Sequence, residues 1–339
     1  MKYIISTITF LFICFIFGSC KTDYIRYTYI DVRTPAELTL DYKAKNVLLV
    51  DNSPASMDSK GQDTTYLIMP DTARLFILGS LHDYINNEEV FDSVRFYTMN
   101  LNGGHNVEFL SPTQIQRLCR ESKSDILISF DLIGLLIPRG KEYLTRKHQP
   151  PIKGYTNAVV NIYRKDGTPI HKTFFFTHTI WGIQTSTWRD MENNIYNRKG
   201  LLSHELSRWS DKMTRLLVPC WSREERIYYA SQKEYFKTAT QHAQKGEWLE
   251  AADIWGQLYE TEKKTAEKVR LAANIALANE YLDDLEYAKE WITIAHSLLE
   301  EKDDSYLANN VRMYKTQLER RMVKASEVKE QLQLILGTE

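Results

Sequence analysis

The sequence predicts an α/β fold, a mixed sheet with flanking helices, followed by an all-α helical repeat domain. Three observations carry this. Short apolar runs alternate with helix-spaced runs over residues 46–217, the order that lays strands side by side under covering helices. Asp166-Gly167 joins two long β-rich runs, a strong hairpin signal. Between Tyr235 and Ala295 one helical-hairpin pattern is written twice, and such a pair stacks on copies of itself because it cannot bury its apolar face alone.

The chain opens on Met1-Lys2, an apolar run over residues 3–17, and Gly18-Ser19-Cys20. That run falls short of the roughly 20 residues a membrane-crossing helix needs, and it has the charged start and small-residue exit of a secretory signal. The small-small-Cys ending resembles the lipobox of bacterial lipoproteins, with Phe17 where that motif usually has Leu. The resemblance implies removal of residues 1–19 as a lipoprotein signal peptide and a diacylglycerol on the Cys20 sulfur. A multiply acylated Cys20 would hold the protein on a membrane, since each buried methylene contributes roughly 0.8 kcal/mol. Lys21, rather than Asp, resembles outer-membrane retention. Residues 20–45 are read as a tether.

Residues 46–51 form a short, continuous apolar run and read as a buried strand; 52–65, rich in Asp, Ser and Gly, read as a loop. Leu75, Leu78, Leu81 and Ile85 have helical spacing, and 94–99 read as a second strand. Ser111-Pro112-Thr113-Gln114 is a helix start in which Ser caps, Pro fits the first turn and Gln reaches back. That helix is expected to run to about Glu121, with a third strand at 125–131, paired strands at 155–164 and 170–181, and a helix at 195–217 that carries Leu206, Trp209, Met213 and Leu216 near one face. This layout resembles the α/β domain of outer-membrane assembly lipoproteins such as the curli secretion channel and the activators of peptidoglycan synthases. It bears on fold alone. The α/β domain is expected to span 46–219.

Pro219-Cys220-Trp221 marks the junction. Ser222 with Glu225 reads as a capping box, so a helix is expected to open there and the helical domain to span 222–339. In the first repeat copy stand Gly246, Trp248, Ala251 and Trp255; in the second, Leu285, Ala288 and Ile292, with Asp283 replacing the turn glycine. These positions resemble the tetratricopeptide family. The resemblance implies a partner on the face of the first helices, toward which Lys233, Thr240, Gln244, Arg270, Ala273, Leu277, Glu280 and Tyr281 would point; the alternative is that this face packs on the first domain. Residues 306–336 are amphipathic and expected to cap the stack. Taken with the lipobox-like Cys20, Pro219-x-Trp221, Arg226-x-Tyr228-Tyr229 and Trp248…Trp255 resemble an uncharacterised family of Gram-negative outer-membrane lipoproteins. That implies an envelope location and no known activity.

The formal net charge of −1 argues against a nucleic-acid binder, which needs clustered Lys and Arg. No His-Glu-x-x-His, Cys-x-x-Cys or phosphate-cradling glycine loop occurs, and no cofactor or metal is expected. Asp125 and Asp131 flank an apolar strand at even spacing, which permits an acid/base pair but equally two solvated strand ends. Cys119 and Cys220 are either a disulfide or two buried thiols. The leading expectation is a lipid-anchored envelope protein, a non-catalytic scaffold that docks an unidentified envelope protein through its helices. The rival is a glycan- or peptidoglycan-binding or -processing lipoprotein that uses the aromatic-rich hairpin and the 52–65 loop.

Overall fold

A computed structural model describes residues 24–40, 43–54, 59–60, 64–68, 71–99, 107–138, 152–183, 199–231 and 233–337. The chain divides into two compact units: residues 33–221 with 324–339, and residues 1–32 with 222–323. The first is mixed α/β, the second mostly helical.

In the α/β unit, seven strands form one sheet: β2 (Asn46–Asp51), β3 (Ser59–Lys60), β4 (Thr64–Ile68), β5 (Ser93–Thr98), β6 (Ile126–Pro138), β7 (Ile152–Arg164) and β8 (Pro169–Ile183). β2 lies parallel to β5 and to the first half of β6. β4 runs antiparallel along the second half of β6, and β7 and β8 follow antiparallel. The 52–65 segment, expected as a loop, thus contributes β3 and the first residues of β4. Side-chain alternation decides which face each strand residue serves. Val47, Leu49, Ile126, Ile128, Val160 and Ile162 meet α1 (Asp71–Asn87) and α3 (Lys199–Leu217), with Trp209 at the centre of that core. Leu48, Val50, Leu127 and Tyr163 meet α2 (Pro112–Ser122) on the opposite face. The α2 start is the expected capping box, with Ser111 and Gln114 bonded reciprocally. At the β7–β8 turn Gly167 has φ +90°, and a Cβ there would meet the Cα of Pro112 at 2.9 Å, so glycine is required twice over.

The helical unit holds α4 (Glu234–Gln244), α5 (Trp248–Thr261), α6 (Thr265–Tyr281), α7 (Leu285–Ser297) and the first part of α8 (Tyr306–Leu336). Gly246 (φ +81°) and Asp283 (φ +60°) take the left-handed conformation two residues before α5 and α7, so the aspartate does the glycine's work in the second hairpin.

Two expectations fail here. Residues 24–34 are not tether but strand β1 (Tyr24–Thr34), and Ser222 opens no helix, because Cys220–Ala230 is strand β9. β1 and β9 pair as a two-stranded ribbon. From Trp221 to Arg226 exposure alternates with period two, and Ile227, Tyr228 and Tyr229 are strong β formers. The local Ser-x-x-Glu signal is overridden by that pattern. The cap expected from residues 306–336 holds only in part: Val311, Tyr314 and Leu318 join the helical core, whereas Ile335 belongs to the α/β core.

Candidate functional site

β2 ends at Asp51, and the chain leaves the sheet through Asn52, Ser53 and Pro54. The Nε of Arg74, in α1, donates to the Asp51 carboxylate at 2.8 Å, and the Ser53 amide donates to it at 3.0 Å. Beside them Asp131 sits at the register shift between Phe130 and Leu132. It accepts from Asn52 Nδ2 at 2.6 Å, Ser129 Oγ at 2.7 Å and Asn161 Nδ2 at 2.5 Å. Asn52 also donates to the Glu108 carbonyl. All of these side chains are buried, and Asp131 is fully enclosed. A buried carboxylate satisfied by three donors fixes backbone geometry. It has no open face toward a substrate.

Asp125 lies at the other end of the same strand stretch. It accepts from the backbone amides of Lys45 and Asn46 and from Lys165. Partial burial acts to raise its pKa, but the Lys45 amide, the Lys165 ammonium and the Asn46 amide outweigh that and hold it below the usual carboxylate range. Asp125 and Asp131 are not brought together as an acid/base pair. Cys119 and Cys220 are both free and buried, in separate parts of the core, so no disulfide joins them. Burial, aided by Asp125, pushes the Cys119 thiol up to about 11; burial, aided by Glu88, pushes Cys220 up to about 12. Neither is a nucleophile near neutral pH. Among the described residues no group of three or more His, Cys, Asp or Glu could hold a metal, and no helix is long and apolar enough to cross a membrane. Cys20 lies outside the described residues.

In the helical unit, the residues expected to face a partner are mostly in use. The β1–β9 ribbon lies against them. Asn274, on α6, donates its Nδ2 to the Tyr229 carbonyl and accepts the Tyr229 amide, both at 2.7 Å, so one side chain continues the strand's hydrogen bonding onto a helix. Tyr281 stacks on Trp248 with ring centres 3.9 Å apart and donates its hydroxyl to the Tyr29 carbonyl. Glu280 is fully buried. Its carboxylate accepts from Arg226 on β9 (3.0 and 2.9 Å) and from Tyr314 on α8 (2.9 Å), and it pairs with Arg321 at 2.9 Å. Thr240 is buried and bonds the Phe236 carbonyl, and Ala273 and Leu277 are core. Lys233 is spent on Glu262 and Glu267, and Arg270 on Glu267. Gln244 lines a small cleft with Arg26 and Lys237. The ribbon thus covers the part of the expected ligand face around Asn274, Glu280 and Tyr281, while Lys233 stays half-exposed.

That ribbon has an outer side. Asp31 pairs with Arg223 and Tyr29 reaches Glu225, while Tyr27 is 61% and Tyr29 57% exposed. Sequence reasoning missed this surface because it assigned residues 24–34 to a tether, and missed the Arg226–Glu280–Arg321 cluster because it placed Arg226 on a helix opening at Ser222 and Glu280 on a ligand face. The aromatic and β-branched density of Tyr24 to Val32 was the available signal.

Fold and site together define a two-part chain, a mixed α/β region followed by a mostly helical one. It belongs to the family described as a domain of unknown function (DUF8603), which matches residues 44–229. A second domain of unknown function (DUF6340) matches residues 237–320. A comparison with curated proteins returned no match. Among solved structures, the chain is similar to the PelC dodecamer from Paraburkholderia phytofirmans, at 8% identity and TM-score 0.26, over 56% of this chain and 98% of that one. A point variant of the same protein aligns at 11% identity and TM-score 0.24, over 56% and 99%.

Proposed function

We propose that the protein is a lipid-anchored component of the outer membrane of a cell envelope that works without catalysis, as a scaffold for another envelope protein. Acylation of Cys20 supplies the anchor. The helical unit, read as tetratricopeptide-like from the matched turn positions Gly246 and Asp283, supplies the interaction module. Its inner face is covered in part by the β1–β9 ribbon, and the docking surface is the ribbon's outer side. The observation that carries this reading is the pair Tyr27 and Tyr29, exposed on a strand whose backbone is pinned by Tyr281 and whose partner strand is locked by Asn274 and Glu280. Rigid tyrosines bury much area at little entropic cost, and a preordered surface loses least on binding.

The test is photo-crosslinking of the full-length protein in its own membranes, with a crosslinker at position 27 or 29. One stoichiometric protein adduct is expected, lost when the other tyrosine becomes Ala, with the melting temperature unchanged. Cys20→Ala is expected to leave unprocessed precursor or release the protein from the membrane fraction. Adducts that survive the tyrosine change would move the docking surface elsewhere, and a matured, membrane-bound Cys20→Ala protein would remove the lipid anchor from the reading.

A further inference from the structure

The β7–β8 hairpin turns one side to the core, through Val160, Phe174 and Phe176. Its other side carries Asn157, Val159 and Asn161 on β7 and Thr173, Phe175 and Thr177 on β8, with Val159 opposite Phe175 and Asn157 opposite Thr177. Phe175 is 78% exposed, the most exposed large apolar side chain among the described residues. Its flanking hydroxyls are both committed in one sense. Thr173 donates to Asn161 Oδ1 at 2.6 Å, and Thr177 donates to Asn157 Oδ1 at 3.1 Å. With their protons directed inward, both hydroxyl oxygens present acceptor lone pairs outward. Asn161 is itself held by Asp131, so the polar row is rooted in the rigid buried cluster. The strip from Thr173 to Thr177 is about 13 Å long at the rise of a strand. No charged side chain stands on this strip among the described residues.

We propose that this strip is a binding surface for a neutral glycan chain. A single flat ring flanked by acceptors suits a pyranose, whose axial C–H face is apolar and whose rim is a row of hydroxyl donors. A protein partner would call for a cluster of large apolar groups, and here Val159, the ring's cross-strand neighbour, is buried. A nucleic acid would call for cations beside the ring. The sugar ring stacks on Phe175, and its hydroxyls donate to Thr173 and Thr177. This surface belongs to the α/β unit and is independent of the ribbon tyrosines.

The test is titration of the full-length protein in detergent with two probes, the β-1,4-linked hexamers of N-acetylglucosamine and of glucose, followed by calorimetry and by chemical shifts of a ring-labelled phenylalanine. At least one hexamer is expected to bind and to shift the Phe175 resonance. Phe175→Ala is expected to weaken binding at least tenfold with the melting temperature unchanged, Phe175→Trp to preserve it, and Thr173→Val with Thr177→Val to weaken it severalfold. Failure of both hexamers to bind overturns the proposal. So does wild-type affinity in Phe175→Ala, or a crosslink from position 175 to a protein while neither hexamer binds.

Discussion

Glu280 joins β9 to two helices of the helical unit through its buried carboxylate. Read as a ligand-facing residue, it is in fact the shared acceptor of two arginines and a tyrosine, with none of its surface exposed. Breaking a buried pair by deleting one partner strands the remaining charges, at about 3–5 kcal/mol. Removing a single hydrogen bond to a charged group costs about 1.5–3 kcal/mol. Glu280→Ala is therefore expected to lower the urea-extrapolated stability more than Tyr314→Phe. The pair also sets a pH dependence. Burial, then the Glu280 charge, raises the Tyr314 phenol well above its ordinary pKa of 10.0. A group raised in the folded state stabilises below its unfolded pKa and loses that contribution as pH rises. Stability should thus fall as pH climbs above about 10, and the fall should be shallower in Tyr314→Phe. Equal alkaline slopes in the two proteins would contradict the assignment.

At the scale of elements, what was legible is what is decided locally. The Ser111–Gln114 cap, the Asp166-Gly167 turn and the buried strand at 46–51 each rest on a few neighbouring residues, and each is found. β1 and β9 were marked only by their aromatic and β-branched density, because each strand has one strand neighbour, supplied from roughly 190 residues away. Ser222 and Glu225 mimic a cap, and the β-forming run Ile227–Tyr229 together with pairing to β1 and docking on α6 selects the strand. The partner-facing reading was limited in the same way: the tetratricopeptide resemblance implied a ligand on the face of Thr240, Ala273, Leu277 and Tyr281, but not that the chain's own strand ribbon lies against part of it. Asn274 is the hinge of this. Asn274→Ala leaves the Tyr229 amide and carbonyl without their partner, which costs about 1–3 kcal/mol when such groups stay buried. Hydrogen exchange should then quicken at β9 amides, Tyr229 first, with α4 and α5 unchanged. Unaltered protection at Tyr229 would show that the ribbon is held by side-chain packing alone.

For the whole molecule, order in sequence is not order in the fold. The α/β unit is completed by the last residues of the chain. Ile335 is buried in the core of β2, β6 and α3, and Gln331 bonds both the amide and the carbonyl of Ala36. The Ala44 amide in turn donates to the Ile335 carbonyl. A boundary drawn at residue 222 therefore cuts the C-terminal turns of α8 away from the unit they stabilise. Burying an isoleucine contributes about 1.5–3 kcal/mol, and leaving the Ala36 groups unpaired costs about 1–3 kcal/mol more. For a unit of this size each kcal/mol moves the melting temperature by roughly 2–4 °C. Deleting residues 324–339 should accordingly lower the melting temperature of the α/β unit by on the order of 10 °C and speed hydrogen exchange in β2 and β6, although every strand of the sheet remains. Gln331→Ala alone should reproduce the smaller part of that loss. If the deletion leaves β2 and β6 protection intact, α8 ends as a passive tail and the α/β fold is self-sufficient within residues 33–221.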